Sequence, residues 1–241
     1  MQVDIRYKPS YSLAIVSLGA GESVQAEGGA MVSMSSNVAV QTGMRGGLVG
    51  ALKRKVLGGE SFFMNTFTSE GSAGEITFAP SLPGDVQVRE LSGETFFLQS
   101  GSYIASPDSI QVDTQWGGAK TFFGSEGLFL LKATGSGPLI FSSYGAIHEV
   151  EVTGRSYIVD TGHIVGFTSG LDFNVKRVGG WKSTVFSGEG LVCEFTGTGK
   201  LFMQTRSSQA FLSWLVPRLP QSGASGGGRG SGILGGLMGD N

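Results

Sequence analysis

The sequence predicts an all-β protein built from three tandem copies of one unit, and three observations carry that prediction. A nine-residue motif occurs three times without a gap, at 21–29, 93–101 and 154–162. Each copy has Gly at its first and ninth positions and a hydroxyl residue, Ser23, Thr95 or Ser156, at its third. Each then alternates with period two. Val24/Phe96/Tyr157 and Ala26/Leu98/Val159 share one face and Glu27/Gln99/Asp160 the other, the pattern of a half-buried strand. Glycine supplies the second observation. It accounts for 41 of 241 residues, against roughly 17 at average usage, without a collagen-like period. The third is a recurring Gly-Gly pair, Gly46-Gly47, Gly117-Gly118 or Gly179-Gly180, which stands 18, 17 and 18 residues past the ninth-position glycines.

Taken in order, each unit begins with a short alternating strand ahead of the motif, at 12–18, 85–91 and 148–152. The motif strand follows, then a further strand leading to the Gly-Gly pair, a turn signal between alternating runs. A Gly/Glu turn and an apolar strand come next, at 59–64, 125–130 and 188–193, and a closing strand at 75–79, 138–142 and 200–204. The units span 10–83, 84–145 and 146–206. With about five short strands each and almost no helical periodicity, they predict a sandwich or barrel.

Three segments depart from this pattern. The first unit carries an insert, 48–57, whose residues Leu48, Val49, Leu52, Val56 and Leu57 fall on one side of a helix, with Lys53, Arg54 and Lys55 beside them. Residues 207–220 predict a second short helix, packed on the β body. Ser207 or Ser208 suits the N-cap, Phe211, Leu212 and Leu215 form an apolar stripe, and Pro217 ends the run. Residues 221–241 read as a flexible Gly-rich tail with a small apolar tip.

The phrase Leu52-Lys53-Arg54, the run Gly58-Gly59-Glu60-Ser61-Phe62-Phe63-Met64-Asn65-Thr66-Phe67 and the closing Phe202-Met203-Gln204-Thr205-Arg206-Ser207 resemble the altered-inheritance-of-mitochondria family. The resemblance is to its bacterial branch, formerly known only as a domain of unknown function, and covers about residues 1–220. It implies a tryptophan-attenuation-protein-like (TRAP-like) fold, a short double-stranded β-helix, present here as three tandem copies in one compact pseudo-threefold body. It supplies no catalytic residue, and no set of positions here matches the ligand-binding residues of the namesake fold.

The search for chemistry gives few candidates. A net charge of −2 argues against a broad grip on nucleic acid. The single cysteine, Cys193, excludes an internal disulfide and reads as a small buried hydrophobe. His148 and His163 occupy different places in the unit, so a metal site formed from them with Glu149 or Asp160 is not expected. The string Gly223-Ala224-Ser225-Gly226-Gly227 lies in the tail rather than on a strand-to-helix elbow. Glu60, Glu126 and Glu189 recur just before the apolar strands. They are either turn residues or a carboxylate cluster able to hold a cation. Lys53, Arg54 and Lys55 either cover an end of the β body or touch an anionic membrane surface or a protein partner. The pairs Phe62-Phe63, Phe96-Phe97 and Phe122-Phe123 put a ring on both faces of a strand, which demands a second core layer or a subunit interface.

The sequence is therefore read as a non-enzymatic structural or scaffolding protein with no cofactor or metal. It is expected to form a homo-oligomer and to make weak membrane-surface or protein contacts, without nucleic acid. A small-ligand or cation binding module, using a site between repeats, is the alternative. No secretory signal or run of about 20 apolar residues is visible, so the expected location is the cytoplasm.

Overall fold

A computed structural model describes residues 1–42, 64–113, 130–177 and 191–219. Among these residues it is an all-β architecture of antiparallel strands with one short α-helix. The strands are β1 (Gln2–Arg6), β2 (Leu13–Leu18), β3 (Ser23–Glu27), β4 (Met31–Met34), β5 (Val38–Thr42), β6 (Met64–Ser69), β7 (Gly74–Phe78), β8 (Val86–Gln99), β9 (Tyr103–Pro107), β10 (Ile110–Asp113), β11 (Leu130–Ser142), β12 (Ile147–Thr153), β13 (Tyr157–Asp160), β14 (Ile164–Thr168), β15 (Leu171–Arg177) and β16 (Leu191–Gln204). The helix α1 spans Ser208–Leu215.

The same four pairings occur at three places along the chain. The strand ahead of the motif pairs with the closing strand, as β2 with β7, the first half of β8 with the second half of β11, and β12 with the end of β16. The motif strand pairs with the apolar strand, as β3 with β6, the second half of β8 with the start of β11, and β13 with β16. Beyond the motif lies a hairpin where one strand was expected. Its first strand (β4, β9 or β14) pairs with the closing segment and its second (β5, β10 or β15) with the apolar segment. The turns inside these hairpins are Ser35-Ser36-Asn37, Asp108-Ser109 and Ser169-Gly170, short runs of residues that hydrogen-bond their own backbone or tolerate tight bends.

Strand continuity differs among the sets. The apolar and closing strands are separate in β6 and β7 but continuous in β11 and β16. Gly135 allows this in β11. It sits at φ +134 where the register with β8 shifts, and a Cβ there would lie 2.1 Å from the Ser109 carbonyl oxygen. β1 lies ahead of the repeat pattern and adds an edge to β2.

Neighbouring sets join by strand pairing. β3 pairs with β9 through Val24↔Pro107, Gln25↔Ser106 and Ala26↔Ala105. β8 pairs with β14 through Leu98↔Gly166, Phe97↔Phe167 and Phe96↔Thr168. A ring closed by strand pairing would need a third link between β13 and β4. That pairing is not made, and among the described residues the series is open at both ends.

Three apolar clusters fill the interior. One gathers Val16, Val24, Phe67, Ile76 and Phe78 with Ile104 and Ile140. A second holds Phe96, Leu98, Phe141 and Phe202, and a third Phe97, Phe167, Cys193 and Phe195. Phe96 and Phe97 thus point into different clusters, so a second core layer, rather than a subunit interface, accounts for that aromatic pair. Phe62, Phe63, Phe122 and Phe123 lie outside the described residues.

The predicted C-terminal helix is present and begins with its cap, Ser207 Oγ accepting from the Ala210 amide. It touches the loop between β11 and β12 through an edge-on contact of Phe211 with Tyr144, 6.2 Å between ring centroids. None of its residues is buried.

Candidate functional site

The residues singled out from the sequence, Lys53, Arg54, Lys55, Glu60, Glu126 and Glu189, all lie outside the described residues. Other candidates have structural roles. Glu149 pairs with Lys200 at 2.6 Å, and Asp160 Oδ1 accepts the Gly162 amide at 2.9 Å. His163 Nδ1 sits 2.7 Å from the Gln204 carbonyl oxygen. Cys193 is buried in the third cluster, and that burial pushes its thiol up to about 12, so it is not a ready nucleophile at neutral pH.

What the structure brings together instead is the seventh motif position of the first two copies. Glu27 and Gln99 end their strands at the wall of a cavity of about 240 Å³, whose lining includes Ile104, Ser142, Tyr144 and Gln204. The cavity lies where segments of all three sets meet the start of α1. Gln204 is held by two bonds, its Nε2 donating to Gly162 O at 2.8 Å and its Oε1 accepting from the Tyr144 amide at 2.8 Å. Gln99 is buried and its Nε2 has no hydrogen-bond partner among the described residues. Burial raises the Glu27 carboxyl from 4.5 to about 7. The sequence held a signal for this site. The seventh position is polar and hydrogen-bonding in every copy, where a purely solvent-facing position has no such requirement.

The Glu27 shift has a testable consequence. The folded protein holds that proton more tightly than the unfolded chain, so stability falls as pH rises from 4.5 to about 7. Glu27→Gln is expected to flatten this part of the profile and to be more stable than the parent at pH 8. Urea unfolding at pH 5, 6 and 8 measures it, and parallel curves for the two proteins would contradict it.

A second cavity of about 310 Å³ lies at the β8–β14 junction. Phe97 and Phe167 line it, stacked with centroids 5.1 Å apart, and Lys132 and Asp172 complete the wall.

Among the described residues three surfaces carry most of the exposed large apolar side chains. They are β4 with Met31, Val32 and Met34, β13 with Tyr157 and Ile158, and the C-terminal segment with Phe211, Leu212, Trp214, Val216 and Leu219. On the helix, the Arg218 guanidinium lies 4.8 Å from the centre of the Trp214 ring. Among the described residues no helix is long and apolar enough to cross a membrane.

The architecture is that of an all-β protein with large antiparallel sheets and no catalytic constellation among its described residues. Residues 3–206 match the family model described as mitochondrial biogenesis AIM24, and the chain belongs to that family. It is 30% identical over 230 residues to an uncharacterised protein of Streptococcus pyogenes serotype M6, covering 92% of each chain. The crystal structure of a Streptococcus pyogenes protein shares 28% identity at a TM-score of 0.77, over 90% of this chain and 99% of that one.

Proposed function

We propose that this chain is a non-enzymatic structural protein that self-associates and presents further surfaces to a protein partner or an anionic membrane. One observation carries the reading. Among the described residues, most of the large apolar side chains left exposed gather on two strands and one terminal segment, the distribution of docking surfaces rather than of scattered surface residues. The recurrence of the same four pairings supports a body of three tandem β-helix-like units, an architecture suited to scaffolding. Lys53, Arg54 and Lys55 add to the membrane side of the proposal, at about 1 kcal/mol per charge near an anionic surface. Several copies in one assembly would multiply that weak grip. The reading places the protein in the cytoplasm, in keeping with a buried thiol as its one cysteine. Sedimentation velocity tests the first part. Flotation with phosphatidylcholine vesicles, with and without phosphatidylglycerol, tests the second. Oligomers that float with anionic vesicles are expected. A strict monomer that ignores them would sink the proposal.

A second reading is favoured by Gln99. A buried amide nitrogen without a partner at a cavity wall calls for an acceptor, so a small carbonyl or carboxylate compound would satisfy it. Thermal-shift screening of such compounds is the test. A hit that persists in Gln99→Leu removes this reading.

A further inference from the structure

We infer that two copies of this chain join head to tail, the β13 edge of one adding to the β4 edge of the next. The inference rests on the self-association proposed above and names its surface. Its warrant is a comparison of corresponding positions. Val32, Ile104 and Val165 each stand three residues past the ninth-position glycine. Each is skipped in its strand's register with the closing segment, so the three strands share one bulge. Yet Ile104 is 1% and Val165 0% exposed, while Val32 is 58% exposed. In the two buried cases a neighbouring motif strand pairs alongside, β3 with β9 and β8 with β14, and its residues share the cluster, Val24 and Ala26 with Ile104, and Phe96 and Leu98 with Val165.

The other half of the junction shows the same contrast. Gln25 and Phe97, the fifth residues of their motifs, are 3% and 7% exposed where their strands are covered, whereas Ile158 at the same position is 60% exposed. The chain therefore makes one kind of junction twice within itself. Among the described residues it leaves one half of that junction bare at each end. An exposed edge of this kind is a template for strand addition, and the surface complementary to each end is the other end of a second copy.

The internal junctions also set the register. Gln25↔Ser106 and Phe97↔Phe167 place the fifth motif residue opposite the position that is Met34 in β4. Ile158 should therefore face Met34, with Val159 opposite Ser33 and Tyr157 opposite Ser35. Backbone directions agree. The Ser35 amide donates to Glu75 O on β7, so by strand alternation the Met34 amide points to the open side. The two ends differ, so the contact is heterologous and yields a ring or an open fibre according to the rotation per copy.

Cysteine cross-linking tests the inference. Met34→Cys and Ile158→Cys are made separately and together in a Cys193→Ala background. Oxidation of the mixed single variants should give a covalent dimer that neither gives alone, and the double variant should give a ladder or one covalent ring. A bond within one chain, or dimers of either single variant alone, would overturn it. So would an oligomer that sediments as before yet never cross-links, which leaves self-association standing with its surface elsewhere. A monomer at every concentration overturns both. Ile158→Lys in the otherwise native chain gives an independent arm, since an exposed site tolerates the change without loss of fold. It should weaken association by roughly tenfold or more, and unchanged association would count against the docking edge.

Discussion

Replacing Phe96 with Ala is expected to destabilise the fold by about 3–5 kcal/mol. The ring is fully buried and is met by aromatics from two other strands, Phe141 at 5.6 Å and Phe202 at 5.4 Å between centroids. Truncation loses its transfer free energy and leaves a void that three long strands cannot close together without breaking their ladders. A second loss follows. The Arg89 guanidinium lies 5.2 Å from the Phe96 centroid, and its Nε is buried without a hydrogen-bond partner among the described residues. Without the ring that cation keeps, among the described residues, its long contact with Glu94 at 3.7 Å. Guanidinium unfolding should show a lower midpoint with an unchanged slope. Ile158→Ala, on the exposed edge, serves as the control and should shift stability by about 0.5 kcal/mol or less. A Phe96→Ala protein as stable as that control would contradict the role given to the ring cluster.

Gly84→Ala should be nearly as damaging, for a steric reason. Its Cβ would stand 1.7 Å from the Ser143 carbonyl oxygen and 3.0 Å from that of Gly145. Both are backbone atoms, so no side chain can swing aside. The approach is held from both directions, the Gly145 amide donating to Pro83 O at 2.9 Å and the Asp85 amide to Gly145 O at 2.9 Å. Separating these segments also strains Asp85, whose buried carboxylate accepts from Ser12 Oγ and the Val86 amide. A cost of about 3 kcal/mol corresponds to a fall in Tm of roughly 6–12 °C for a chain of this size. Gly21→Ala provides the contrast. Gly21 has φ +77 but nothing within 4 Å of an added Cβ, so only the backbone penalty of about 1 kcal/mol applies. Equal melting points for the two variants would refute the close approach.

The turns and strands of the repeat were legible because local chemistry fixes them. The first-position glycines Gly21, Gly93 and Gly154 all adopt positive φ, which is why that position is Gly in every copy. Less was legible wherever the answer depended on a distant neighbour. The β9–β10 hairpin turns on the two residues Asp108-Ser109, too short a signal to split one strand into two. Glu27 and Gln99 read as outward-facing because period two cannot say whether an outer face meets water or another set. The bare edges were hidden for the same reason. Met31-Val32-Ser33-Met34 is no more polar than its buried counterpart Tyr103-Ile104-Ala105-Ser106, and only the missing neighbour distinguishes them. The basic insert and the recurring glutamates remain readings of the sequence alone.

The apolar clusters do not respect the boundaries of the repeat. Val86, Ile104, Ala105 and Ile140 belong to the second copy by sequence but pack in the cluster of the first. Val165 and Phe202 of the third pack with residues of the second, and Phe97 and Leu130 of the second with the third. A cut at 83/84 or at 145/146 would therefore split a core rather than release a module, and the middle copy contributes residues to all three clusters. The recurring stretch of sequence and the packed cluster are thus different units. Because each junction shares a cluster, stability gained or lost in one copy is expected to be felt by its neighbours.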